Sequence, residues 1–115
     1  TLKQFGDGTS ERDYTYVDDI VEGVVSALGA DLGFEIINLG NNKPVKLSYF
    51  IKLVEQLLDK KANIVQEPMP QGDVPVTYAD ISKAHKLLNF APKTSIEDGM
   101  AKFVSWYKDH SYLYK

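Results

Sequence analysis

A mixed α/β fold, closer to α+β than to a regular alternation, is what this sequence predicts, and three observations predict it. Apolar residues recur at helical spacing in about four separate segments. Three or four short runs between them read as strands, bounded by glycine, proline, asparagine and aspartate. Helices and runs alternate imperfectly over 115 residues, a length that suits one domain.

The elements follow in order. Leu2–Phe5 reads as a short strand, and Gly6-Asp7-Gly8-Thr9-Ser10 as a turn, since glycine supplies positive φ and Asp or Ser bonds nearby amides. Val17, Ile20, Val21, Val24, Val25 and Leu28 follow the i, i+3, i+4, i+7 pattern of an amphipathic helix. Asp18, Asp19 and Glu22 stand near its start, where negative charge suits the dipole, and Gly29 is its expected stop. Phe34–Asn38 reads as a strand, residues 39–44 as a turn, and Val45–Leu47 as another extended piece. Ser48 is the expected N-cap of a second helix, whose stripe is Phe50, Ile51, Val54, Leu57 and Leu58. Asn63–Gln66 reads as a strand. Three prolines and a glycine over Pro68–Pro75 forbid a regular element there. Asp80 is placed to cap a short helix with Ile81, Ala84, Leu87 and Leu88 on one face. After Pro92, Thr94 and Glu97 have capping-box spacing ahead of a last helix burying Ile96, Met100, Phe103, Val104 and Tyr107. The aromatic tail after His110 is expected to be loosely ordered.

Composition excludes several functions. Net charge is −3 and no basic run occurs, so the footprint of a nucleic-acid binder is missing. There is no cysteine, hence no disulfide, thiolate metal site or cysteine nucleophile; a cytoplasmic protein is the expectation. No apolar run nears the roughly 20 residues that span a bilayer, so no membrane partner is expected. The chain opens on Thr1, and the expectation is a piece of a longer polypeptide.

Chemistry-bearing motifs are mostly lacking. There is no G-x-G-x-x-G and no G-x-x-x-x-G-K-[ST]. His85 and His110 are isolated, and read as an exposed helix residue and a helix-end residue. Asp18-Asp19 is either a metal pair or, the plainer reading, a helix-start charge cluster. Two loops remain. Phe5–Tyr14 contains an aromatic, a flexible turn, a tyrosine and Arg12, the one arginine among 13 basic residues. Those are pieces for holding a nucleotide, with a bidentate fork for phosphates; a surface ion pair is the competing reading of Arg12. In Gln71-Gly72-Asp73 the carboxylate suits two vicinal hydroxyls, such as those of a ribose, or else ordinary turn capping.

Four stretches resemble the extended short-chain dehydrogenases, the NAD-dependent nucleotide-sugar epimerases and dehydratases. Residues 5–19 resemble F-G-D-G-x-x-x-R-D-Y-x-Y-V-D-D, and residues 36–40 I-x-N-[LI]-G. Residues 72–84 resemble G-D-V-x-x-T-x-A-D-x-S-K-A, and residues 92–99 P-x-T-x-[IL]-E-x-G. They stand in the family's order and cover nearly the whole chain. Residues 74–80 look most like UDP-glucuronate 4-epimerases.

The resemblance implies a C-terminal nucleotide-sugar-binding part of a 4-epimerase over residues 1–115, lacking the main Rossmann domain, and a UDP-sugar as ligand; a dehydratase of the same family and a non-catalytic binding or interaction module are the alternatives. It places Arg12 on the diphosphate, Phe5 near the base, Asp73 on the ribose hydroxyls and Asn38 on ribose or phosphate. Tyr14 is a weaker candidate with a structural alternative. Relatives often carry a second arginine just before the Gly-Asp pair; here Pro68-Met69-Pro70-Gln71 stands instead, and Gln71 offers an amide in its place. Such enzymes invert a sugar carbon through transient oxidation by NAD, with a Tyr-x-x-x-Lys pair as base. This chain has no Tyr-x-x-x-Lys, so no catalytic residue, cofactor or metal is assigned within it, and the expectation is that the chain alone does not turn over substrate. Residues 17–38 are expected to pack on the Rossmann domain, leaving Val21, Val25 and Ile37 short of cover without it. An open sheet edge then invites self-association, most simply as a homodimer.

Overall fold

The turn Gly6–Ser10 divides the N-terminal extended chain into two strands that join different sheets. A computed structural model describes residues 1–114. Strand β1 (Leu2–Phe5) runs parallel to β4 (Ile64–Glu67), with Leu2 opposite Ile64 and Phe5 opposite Glu67. Strand β2 (Glu11–Arg12) runs antiparallel to β3 (Val45–Lys46), pairing Arg12 with Val45. Glu11 is bonded on its other side too: its amide donates to Pro75 O at 2.8 Å and its carbonyl accepts from Thr77 N at 3.2 Å. The chain at 75–77 is thereby laid beside Arg12.

Among the described residues four α-helices complete the predicted fold class: α1 (Val17–Leu28), α2 (Leu47–Leu58), α3 (Ser82–Leu88) and α4 (Ile96–Asp109). Helix α2 packs on α4 and α1 on α3. A buried cluster of Ala84, Leu88 and Phe90 gathers Ile37, Leu39, Ile81 and Leu87 around it. Ile37 therefore keeps partial cover. The second helix buries Ile51 as expected, and also Leu53.

Local chemistry shifts several expected ends. Ser48 is not the N-cap of α2; the cap position falls two residues earlier, at Lys46, and no side chain caps the helix. Its first amides are met instead by the preceding turn, Leu47 N donating to Ser10 O at 2.9 Å and Ser48 N to Gly8 O at 3.0 Å. The capping box of α4 lies one residue later than Thr94 and Glu97: Ser95 Oγ accepts from Asp98 N at 3.0 Å. Asp80 acts just ahead of α3, where its carboxylate accepts from Ser82 N and Ser82 Oγ. Gly29 ends α1 with ordinary right-handed geometry, while Asp59 and Asn89 end α2 and α3 in the left-handed region. The tail is a 3-10 turn over Ser111–Tyr114 rather than loose chain.

Val21 and Val25 stand short of cover as expected, and Phe34–Asn38 does not form its expected strand, both for one reason. The stripe of α1 faces outward, with Val25 at 59% and Leu28 at 84% exposure, while Asp19 and Gly23 face inward. Phe34–Asn38 forms no strand: among the described residues no ladder partner lies beside it, and Phe34 is 90% exposed. Both surfaces lack a covering body. On α4, Val104 is buried, but Phe103 and Tyr107 are exposed. Among the described residues no helix is long and apolar enough to cross a membrane.

Exposed apolar area of this kind drives association. The isolated chain is expected to self-associate, so light scattering at high concentration should give a mass above 12.9 kDa. A monomer under those conditions contradicts the expectation.

Carboxylates of Asp7, Glu55, Asp80 and Glu97 are held below the usual carboxylate range, each chiefly by a hydrogen bond: from Thr9, the Ala62 amide, Ser82 and Tyr49 respectively. Depressed pKa values stabilise the fold above the ordinary carboxylate pKa of about 4, and that stability is lost as pH falls through the lowered values. Thermal melts followed by circular dichroism should show a plateau near neutrality and a falling midpoint below pH about 4.

Candidate functional site

Asp13 organises the region around the arginine. Its two carboxylate oxygens accept from the backbone amides of Asn41 (3.2 and 3.1 Å), Asn42 (2.9 Å), Lys43 (3.4 Å) and Ala79 (3.1 Å). A carboxylate offers about four lone-pair positions, and backbone amides occupy this one heavily. The turn after residue 38 and the chain entering α3 are thus tied to the residue beside Arg12. Gly40 is required at this junction, because a Cβ there would stand 2.5 Å from Ala79 Cβ and 2.8 Å from Asp13 Oδ2.

The arginine fork is held at both ends. Arg12 Nη1 donates to Glu11 O at 2.8 Å and Nη2 to Asp73 Oδ1 at 2.6 Å, with both side chains about one-third exposed. The loop supplies Asp73 by turn chemistry. Asp73 N donates to Pro70 O at 3.2 Å across Gln71 and Gly72, and Gly72 has the positive φ of 88° that such a turn demands. Asp73 Oδ1 also accepts from Val74 N.

A cleft of about 570 Å³ opens between these segments. Arg12, Asp13 and Thr15 form one wall, Ile37 to Gly40 a second, and Thr77 to Ala79 a third. Of the residues singled out from the sequence, Arg12 and Asn38 line this cleft, and Asp73 reaches it through the arginine. Phe5, Tyr14 and Gln71 do not line it. Phe5 is exposed at the end of β1, next to Gly6, against which Met69 closes. Gln71 is exposed at its turn. Tyr14 stacks on Phe50 at 4.4 Å between ring centroids and lines a separate apolar cavity of about 380 Å³ with Ile96, Met100 and Phe103. Burial raises the pKa of its hydroxyl against the opposing pull of Arg12. That cavity has no charged lining residue, so it suits no phosphate.

Sequence reasoning passed over Asp13, Thr77 and Tyr78. The signal for Asp13 was its place between Arg12 and Tyr14, which says nothing of amides about 30 and 66 residues away. Asp19 is buried and accepts from Thr94 N at 3.0 Å, a structural role, and among the described residues no group of three metal-binding side chains occurs. His110 Nδ1 lies 2.8 Å from Trp106 O at the end of α4, a helix-end role, and His85 is exposed on α3.

The start of α1 does not fit the pyrophosphate of a dinucleotide. A pyrophosphate seeks a glycine-rich strand-to-helix turn and a helix N-terminus. Here α1 is entered through Tyr16 and carries Asp18 and Asp19 in its first turn, which repel an anion.

The family model described as GDP-mannose 4,6 dehydratase matches residues 1–103. The chain belongs to that family. Its members here are NAD-dependent nucleotide-sugar epimerases and dehydratases. The UDP-glucuronate 4-epimerase of Thermodesulfobacterium geofontis is 48% identical over 115 residues, covering 99% of this chain and 35% of that protein. The crystal structure of UDP-glucuronic acid 4-epimerase from Bacillus cereus in complex with UDP-glucuronic acid and NAD matches with a TM-score of 0.85 at 35% identity, over 94% of this chain and 35% of that one. UDP-glucose 4-epimerase of Thermotoga maritima with UDP-glucose matches with a TM-score of 0.86 at 30% identity, again over 94% and 35%. The chain spans about a third of the length of the curated relatives it matches.

Proposed function

We propose that this chain is the nucleotide-sugar-gripping, C-terminal part of an NAD-dependent UDP-sugar 4-epimerase that converts UDP-glucuronate to UDP-galacturonate. The observation that carries the reading is the Arg12 fork beside the Asp73 carboxylate, at a cleft that Asn38 also lines. Arg12 takes the diphosphate through its planar donors. Asp73 uses Oδ1 for both of its bonds, so Oδ2 serves the ribose hydroxyls. Asn38 bonds ribose or phosphate from the facing wall. Phe5 serves the base, and Gln71 adds an amide from its turn; both sit on segments flanking the cleft rather than in it. The part-exposed Arg12–Asp73 pair is worth at most about 1 kcal/mol, so a diphosphate can draw the guanidinium toward itself.

NAD and the catalytic base belong to residues outside this chain, in the Rossmann domain that the outward faces of α1 and Phe34–Asn38 would meet. The chain alone is not catalytic in this reading, and the parent enzyme is cytoplasmic. The names of the relatives support epimerisation of UDP-glucuronate. The family description favours a second reading, a nucleotide-sugar dehydratase.

Product analysis separates them. A polypeptide carrying this chain with its NAD-binding domain should turn UDP-glucuronate into UDP-galacturonate, resolved by ion-exchange chromatography. A product that has lost water points to the dehydratase, and no UDP-galacturonate rejects the preferred substrate. In the same polypeptide Arg12→Lys keeps the charge but loses the fork, and should weaken UDP-sugar binding by about 1.5–3 kcal/mol in calorimetry, the range for hydrogen bonds to charged groups. Equal affinities contradict the assigned role.

A further inference from the structure

We infer that Asp13 is the positioning residue of the nucleotide-sugar site, setting substrate affinity without touching the chemistry; this rests on the proposed UDP-sugar reading. Three segments wall the cleft, and the Asp13 carboxylate bonds amides from the two that do not contain it: Asn41, Asn42 and Lys43 on one, Ala79 on the other. Its own backbone carries the third wall, since Arg12 precedes it directly. One side chain therefore sets the spacing between the arginine fork, Asn38 and the Thr77–Ala79 wall.

The charge matters as much as the geometry. A carboxylate at the edge of a diphosphate site repels its ligand unless its oxygens are already engaged. Here amides from four residues turn their N–H dipoles onto it. No side-chain cation is bonded to it among the described residues, so Arg12 keeps its donors for Glu11 O and Asp73. Gly40 guards the arrangement, because any side chain there enters the space of Asp13 Oδ2 and Ala79.

Asp13→Asn places an NH2 group among amides that need acceptors, and so loosens the walls. Measured on the polypeptide with its NAD-binding domain, this variant should raise KM for UDP-glucuronate by about tenfold or more while kcat changes far less, the pattern of lost uniform binding. Asp19→Asn is the control. That carboxylate is more deeply buried than Asp13 and also holds a backbone amide, of Thr94, but it lies outside the cleft. It should lower the melting temperature and leave KM unchanged. An unchanged KM in Asp13→Asn overturns the inference, as does an equal rise in KM in both variants, which marks general loosening of the fold. Should Asp13→Asn give no soluble protein, Asp13→Glu, which keeps the charge but displaces the carboxylate from the amides, takes its place with the same expectation and the same overturning results. A wild-type protein that binds no UDP-sugar rejects the functional reading itself; wild-type binding with an indifferent Asp13→Asn rejects only the positioning role.

Discussion

One carboxylate supports most of what is specific in this structure. Backbone amides of a turn must find acceptors, and a turn without a ladder partner has few to offer them. Asp13 supplies acceptors for the turn at 41–43 and for Ala79 from a single side chain. The bonds to Asn41 and Ala79 are part-buried and those to Asn42 and Lys43 exposed, so no single one fixes the geometry and several groups enforce it at once. Residues far apart in sequence are brought into register by side chain-to-backbone bonds where no sheet does it.

The second organising feature is the double use of Glu11. Its backbone pairs with Lys46 on one side and bonds Pro75 and Thr77 on the other. A two-residue strand thus holds α2 through β3 and the proline-rich loop through residues 75–77. The arginine next in sequence inherits a fixed position, and the glycine turn 70–73 brings the aspartate to it. The polar cleft and the apolar cavity then fall on different sides of residues 12–14, and so Arg12 and Tyr14, two residues apart, serve different surroundings.

Much of this was legible in the sequence. Helical periodicity located all four helices, because spacing of apolar residues is a local property. The isolated arginine and the Gly-Asp turn pointed to Arg12 and Asp73 before any contact between them was visible, since fork chemistry and turn grammar reside in single residues. Asn38 had no such local mark and entered only through family resemblance. Spacing alone could not say which face of a helix finds a partner within the chain: it marked the valines of α1 as one face, and only the family resemblance left Val21 and Val25 short of cover. Capping failed by one residue at Thr94, since Ser95 offers the same hydroxyl chemistry, and by two at Ser48, since carbonyls of a distant turn did the work. Asp13 was hidden because its role depends wholly on long-range backbone partners.

Helix α1 is built the wrong way round for a free-standing unit, with a carboxylate and a glycine turned inward and its aliphatic stripe turned to water. Each Å² of that stripe covered by another body releases roughly 25 cal/mol. The helix is thus a store of stabilisation that this chain cannot draw on by itself. Asp19 on its inner side holds the chain at Thr94, just ahead of α4, so clamping the stripe from outside would stiffen that helix entrance as well. A body laid over that stripe would lend this unit part of its rigidity.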